Sequence, residues 1–310
     1  AAQIGDSLER QVFEALPLIA RGLLGDESRT REALDAAFEH GLVFLYRVLF
    51  CLHAEDRGLL PVDSPHYREY SLRRRRVKLA EDLDRGRRFS RHSTEIYNDL
   101  RALFRIVDEG DEDLGVNEYD GGLFSPDAHP YFEGRSIPDP LLAEALDKLY
   151  RIDGQQIDYR DLSTRHLGTI YERLLAFQLE ADGDNLRLVD SPRRKYTGSY
   201  FTPEPVVDLI VERTLEPILV HRSQEIRDQG LRNDDALEAF LDLKVLDPAM
   251  GSAHFLNAAA AYIAQFIATD PSYEGGLSRV ELQRRVAERC IYGVDLIPMA
   301  VELARLAMWL

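Results

Sequence analysis

Val245-Leu246-Asp247-Pro248-Ala249-Met250-Gly251-Ser252-Ala253-His254-Phe255-Leu256 decides the fold. An apolar run enters Asp247-Pro248, a turn of small residues follows, and a helix is expected from about Ala253 to Ala268. Small residues let backbone N–H groups approach a ligand, and a helix N-terminus adds partial positive charge. A close-packed turn between strand and helix, with no ligand, would read the same way. A second apolar run, Ile291 to Leu296, narrows the choice because it carries Asp295 at its carboxyl end. Ser278 is expected to cap the helix before it, through about Arg289, and Pro298 to open the helix after it. Strand, helices, strand is the βαβ unit of a parallel, doubly wound sheet, whose ligands sit at the carboxyl ends of the strands. There Asp295 can accept hydrogen bonds from ribose hydroxyls. Alternatively it caps the helix that Pro298 opens.

Working outward, Thr202-Pro203 opens a helix with Val206, Val207, Ile210 and Val211 on one side, and Pro217 is expected to kink or end it. Upstream lies a basic connector, Ser191-Pro192-Arg193-Arg194-Lys195, preceded by a possible short strand at Leu186 to Val189. From the start to about Leu175 the apolar spacing is helical almost throughout, as in Ile96, Leu100, Leu103, Phe104 and Val107. Asp139-Pro140 reads as an N-cap with a first-turn proline, and Ser163 as the cap of a helix through Leu175. Asp108 to Pro140, rich in glycine, proline and acids, reads as a long ordered loop. The expected fold class is therefore α plus α/β: an all-helical domain over residues 1–190, then a Rossmann-like, doubly wound domain over 191–310.

Size and composition allow about two domains with cores of their own. The first twenty residues are charged and lack the apolar core of a signal peptide. Gly41 to Leu52 is too short to span a bilayer and carries Arg47, so it reads as a buried helix and no membrane is expected. Cys51 and Cys290 lack metal-like spacing and suit a reducing cytoplasm. His53, Glu55 and Asp56 have no convincing metal spacing either, so no metal is expected. The net charge of −16 opposes nucleic-acid binding unless cations are gathered locally. Two basic stretches qualify. Arg73 to Arg76, with Arg85, Arg87, Arg88 and Arg91, either meet phosphates or form a solvated face balancing Glu81, Asp82 and Asp84. Arg193-Arg194-Lys195 is the better phosphate candidate.

Three stretches in order carry a resemblance: Lys195-Tyr196-Thr197-Gly198-Ser199-Tyr200-Phe201-Thr202-Pro203, then Leu246 to Leu256, then Tyr292-Gly293-Val294-Asp295 through Leu310. They resemble motifs X, I and II of N6-adenine DNA methyltransferases of the type IIG/IIL restriction–modification and BREX phage-defence group. Ala54-Glu55-Asp56-Arg57-Gly58-Leu59-Leu60-Pro61, Asp120-Gly121-Gly122-Leu123-Phe124 and His166 to Leu175 resemble the helical region that precedes motif X there. The resemblance implies S-adenosylmethionine as cofactor and double-stranded DNA as partner, with target-recognition and nuclease domains possible elsewhere in a longer chain. Thr202, with Tyr200, Phe201 and Pro203, would contact the methionine end of the cofactor. Asp247, Pro248, Ala249, Met250 and Gly251 would line the turn beneath the methionine and sulfonium. Asp295 would take the ribose hydroxyls and Leu296 would flank the adenine. Where the family usually has glycine this chain has Ala253, which puts close backbone approach there in question. His254 is read as packing rather than as a base.

Methylating an exocyclic amine needs acceptors for its protons and an aromatic face for the extruded base. The family supplies both from an Asn/Asp-Pro-Pro-Tyr/Phe motif, and this sequence contains no Pro-Pro pair. The chain is therefore expected to be a piece of a longer enzyme, inactive alone, with no catalytic residue of its own. Two other readings compete: a methyltransferase for protein glutamine or RNA, and a non-catalytic cofactor fold serving as a scaffold.

Overall fold

The computed structural model describes residues 2–119, 122–161, 168–170, 173–191 and 202–309. They fall into two compact units, Ala1–Gly198 and Ser199–Leu310.

In the first unit, α1 (Ala2–Leu24) packs on α2 (Arg31–Asp56). Thr30 caps α2, its hydroxyl accepting from Ala33 N. Helix α2 is buried without a break from Gly41 to Glu55. By length and composition it could cross a membrane, but 78% of its apolar window is buried inside the protein, so its apolar residues form a core. The polar groups at its end are spent on the fold. Glu55 accepts from Leu72 N and Arg73 N at 2.8 and 2.7 Å and from the hydroxyls of Tyr67 and Ser71. It thereby caps α3 (Leu72–Asp84) from a distant part of the chain. Burial nevertheless raises its pKa, against the pull of those four donors. Asp56 holds Arg76 at 2.9 Å, and His53 Nδ1 meets the Tyr159 carbonyl at 3.0 Å.

Helix α4 (Glu95–Glu109) buries Tyr97, Leu100, Leu103, Phe104 and Val107. Helix α5 (Asp139–Tyr150) opens with the expected aspartate and proline, but Asp139 caps a neighbour instead of its own helix. Its carboxylate accepts from Ile96 N at 3.0 Å and from the Ser93 hydroxyl at 2.5 Å, at the start of α4. The described residues of the glycine- and proline-rich segment between α4 and α5 include the buried Val116, Tyr119, Leu123, Phe124, Phe132 and Ile137. Within the basic stretch, Arg74, Arg75, Arg76, Arg85 and Arg87 pair with Glu69, Asp99, Asp56, Glu81 and Asp82.

The first unit is not all-helical. Strands β1 (Arg151–Ile152) and β2 (Gln155–Gln156) form a small antiparallel hairpin through Asp153-Gly154, both with positive φ (49° and 78°). Asp-Gly is a strong two-residue hairpin signal because both positions tolerate positive φ. Strands β3 (Phe177–Asp182) and β4 (Asn185–Asp190) pair antiparallel around Gly183-Asp184. Their inward Leu179 and Leu186 pack on Ala20, Leu24, Leu34 and Ala37. The strand expected near 186–189 thus has a partner that helical periodicity concealed. The Ser163 cap, His166, Leu167, Tyr171, Asp120 and Gly121 lie outside the described residues.

In the second unit, α6 (Glu204–Asp228) follows Thr202-Pro203 directly and continues through Pro217, which does not end it. Its buried stripe is Val207, Val211, Leu215, Leu219 and Ile226, while Val206 and Ile210 face outward, so the expected apolar side is only half right. Helix α7 (Asn233–Leu241) leads to β5 (Val245–Asp247). Helices α8 (His254–Thr269) and α9 (Arg279–Cys290) then carry the chain to β6 (Ile291–Gly293). Ser278 and Glu281 form a reciprocal capping box on α9. The strands pair in parallel, Val245 opposite Ile291, Leu246 opposite Tyr292 and Asp247 opposite Gly293. This is the expected βαβ unit, and α10 (Pro298–Trp309) follows it. Its core, from Val207 to Cys290, joins α6 through α9.

Candidate functional site

The parallel pair continues past its strands into the turn. Val294 N donates to Asp247 O at 2.9 Å and Met250 N to Val294 O at 3.0 Å. The segments after β5 and after β6 are thereby held side by side. Asp247 folds back on its own turn, Oδ1 accepting from Ala249 N at 3.0 Å. Asp295 reaches across: Oδ2 accepts from Gly251 N and Oδ1 from Ile297 N, both at 2.9 Å. The two carboxylates therefore lie at one end of the strand pair, joined through the small-residue turn. Each carboxylate oxygen can accept more than one hydrogen bond, so Asp295 keeps acceptor capacity after these two.

Gly251 and Ala253 make this closure possible, with φ of 54° and 64°. Positive φ suits glycine and strains alanine. Ala253 is nevertheless fully buried, in a cluster with Met250, Leu256 and Ala304 that offsets part of the strain. Gly293 is a further constraint on the turn. A Cβ there would lie 2.0 Å from Met250 Sδ and 2.8 Å from Leu256 Cδ1, so the turn residue Met250 packs over the bare backbone of β6. A lone glycine in a strand, as in Tyr292-Gly293-Val294, is the signal for such close approach.

Asp247, Pro248, Ala249, Met250, Gly251, Asp295 and Leu296 thus occur together. Leu296 is 99% exposed, an apolar side chain beside the carboxylate with no protein covering it. Asp295 stands three residues before Pro298, and its Ile297 bond leads the chain into α10. Thr202 and Pro203 stand at the entry to α6, which packs on α8. Tyr200, Phe201, Arg193, Arg194 and Lys195 lie outside the described residues. His254 is the first residue of α8 and half-buried. An acid–x–lysine spacing of the sort that nuclease strands use occurs at Asp242-Leu243-Lys244. Its ammonium donates to the Leu241 and Arg289 carbonyls at 3.1 and 2.8 Å, which ties helix ends to the start of β5.

Residues 164–310 match the N-6 DNA methylase family model. The chain is also 28% identical over 314 aligned residues to a Methanocaldococcus jannaschii protein whose name describes a type II restriction enzyme and methyltransferase. That alignment covers 87% of this chain and 24% of the relative, so the chain spans about a quarter of the relative's length. No solved structure matches it. The matched stretch, 164 to 310, contains the candidate site and is similar to N-6 DNA methylases.

Proposed function

We propose that the unit Ser199–Leu310 binds S-adenosylmethionine at the carboxyl ends of β5 and β6. On this reading it is the cofactor-holding part of an enzyme that methylates adenine N6 in duplex DNA, within a restriction–modification or phage-defence system. The observation that carries the reading is the pairing of the small-residue turn with Asp295. A carboxylate with spare acceptor capacity, a turn free of large side chains and an uncovered leucine suit a ribose, an amino-acid tail and an adenine respectively. The sheet would then extend into a Rossmann-like, doubly wound arrangement, the fold that the family implies.

When bound, S-adenosylmethionine supplies a methyl group activated by its sulfonium. The work of this chain is placement. Asp295 accepts the ribose hydroxyls, and Leu296 covers one side of the adenine. Asp247 to Gly251 pass beneath the methionine, and Thr202, with Tyr200, Phe201 and Pro203, meets its far end. Arg193, Arg194 and Lys195 supply positive charge for DNA phosphate. Groups that hold the target amine are not encoded in these 310 residues, which contain no Pro-Pro pair.

Calorimetric titration with S-adenosylmethionine, with S-adenosylhomocysteine as competitor, tests the proposal. Saturable, competed binding is expected, with no tritiated methyl transfer to duplex DNA by this chain alone. A folded chain that binds neither compound would overturn the cofactor reading. Methyl transfer by the chain alone would overturn the reading of the missing groups.

A further inference from the structure

A buried cation points to a second site, in the unit Ala1–Gly198 and separate from the cofactor site. Arg47 of α2 is 7% exposed. Its Nε donates to Leu123 O at 2.7 Å, whereas its Nη2 is buried without a hydrogen-bond partner. The rings of Phe132, Phe104 and Phe124 lie 4.7, 5.7 and 5.9 Å from the guanidinium carbon. Burial brings the Arg47 pKa down to about 10, against the opposing pull of Tyr97 and Asp108. A buried charge that is incompletely paired costs free energy, which an arriving anion offsets.

Arg47 lines a cavity of about 360 Å³, within the size range of small-ligand pockets. Along one side run Asn98, Arg101, Ala102 and Arg105 of α4, at spacings that stack them on one helix face. Ala102 contributes only a methyl group, which leaves the space open. Phe124, His129 and Phe132 also line it, with Glu133 as its one carboxylate among the described residues. The His129 Nε2 is also buried without a partner, and burial lowers its pKa to about 4, so the ring is neutral at pH 7. Its other ring nitrogen donates to the Gly122 backbone, which leaves Nε2 as an acceptor, and Asn98 offers both a donor and an acceptor.

Arginines select an anion, and a pair one helical turn apart suits phosphate. Phenylalanine walls select a flat apolar body, and Asn98 with His129 suits the edge of a heterocycle. We propose that this cavity binds a nucleotide unit, its phosphate met by Arg47, Arg101 and Arg105 and its base by Phe124, His129 and Asn98. The unit is either free or borne on a DNA strand.

Calorimetry on the 310-residue chain tests this, with the four deoxynucleoside 5′-monophosphates, inorganic phosphate and a single-stranded oligodeoxynucleotide as probes. Saturable binding of at least one nucleotide or of the oligonucleotide is expected, tighter than that of phosphate alone. Ala102→Phe, which fills the space from an exposed helix face, and Arg105→Ala should each weaken binding by at least about tenfold. Both should do so without a change in melting temperature, while Asp295→Ala leaves this binding intact. Oligonucleotide binding that Ala102→Phe weakens identifies the strand-borne unit. Mononucleotide binding alone identifies the free one. Absence of saturable binding, binding unaffected by Ala102→Phe, phosphate bound as tightly as nucleotide, or binding lost in Asp295→Ala overturns the proposal.

Discussion

The Gly251 amide donates to Asp295 Oδ2 at 2.9 Å, so the turn after one parallel strand is closed by the acid after the other. Residues far apart in sequence thereby behave as one unit. A change at Asp295 has to be read for its effect on the turn as well as on a ligand.

Asp295→Ala removes the acceptor for Gly251 and Ile297 together with the proposed ribose contact. Charge-assisted hydrogen bonds contribute roughly 1.5–3 kcal/mol each, part of which solvent recovers on removal. S-adenosylmethionine affinity should fall by about 2–4 kcal/mol, on the order of thirty- to a thousandfold. Asp295→Asn keeps one oxygen and should lose less. Titration calorimetry with parallel unfolding checks this, and a destabilised Ala variant with unchanged affinity would make Asp295 purely structural.

Ala253→Gly should stabilise the second unit modestly. Relief of the left-handed conformation is worth roughly 1–2 kcal/mol, whereas the buried methyl it removes is worth about 0.8 kcal/mol. The difference is small and favours glycine. A rise of a few degrees in melting temperature is expected, and a clear fall would show that the methyl's packing dominates.

Asp139→Ala should destabilise the first unit by about 2 kcal/mol, because it strands the Ile96 N–H and the Ser93 hydroxyl at a buried helix start. Asp139→Asn retains one acceptor and should cost less. Urea midpoints report this. An unchanged midpoint in the Ala variant would mean that water replaces the carboxylate.

His129 gives stability a pH dependence of known sign. Burial, assisted by nearby Arg47 and His40, lowers its folded pKa from 6.5 to about 4. Below about 6.5 the unfolded chain takes up a proton that the folded chain refuses, so stability is lost as pH falls through this window. His129→Asn should shrink the drop in urea midpoint between pH 7.5 and 5. The lowered pKa values of His40 and His53 leave a residual slope in the same direction. Equal drops in wild type and variant would exclude His129 as a contributor.

Sequence by itself determined the βαβ unit, because the apolar runs at 243–247 and 291–296 are bounded by turn residues and helix signals that act locally. It also identified the α9 cap at Ser278, a bond between neighbours in the chain. Tertiary structure decided what depends on partners brought from afar. Asp139 sits where a helix cap belongs, yet its acceptors serve Ser93 and Ile96. Glu55 caps α3, accepting from Leu72 N and Arg73 N. The first unit gained hairpins at Asp153-Gly154 and Gly183-Asp184 that a search for helical spacing passes over. Val206 and Ile210 share an apparent apolar face with Val207 and Val211, but only the latter pair meets the core. Periodicity and capping chemistry are short-range and so visible in one dimension. A buried carboxylate or arginine is satisfied by whichever donor or acceptor the fold brings near, and only the folded chain shows which that is.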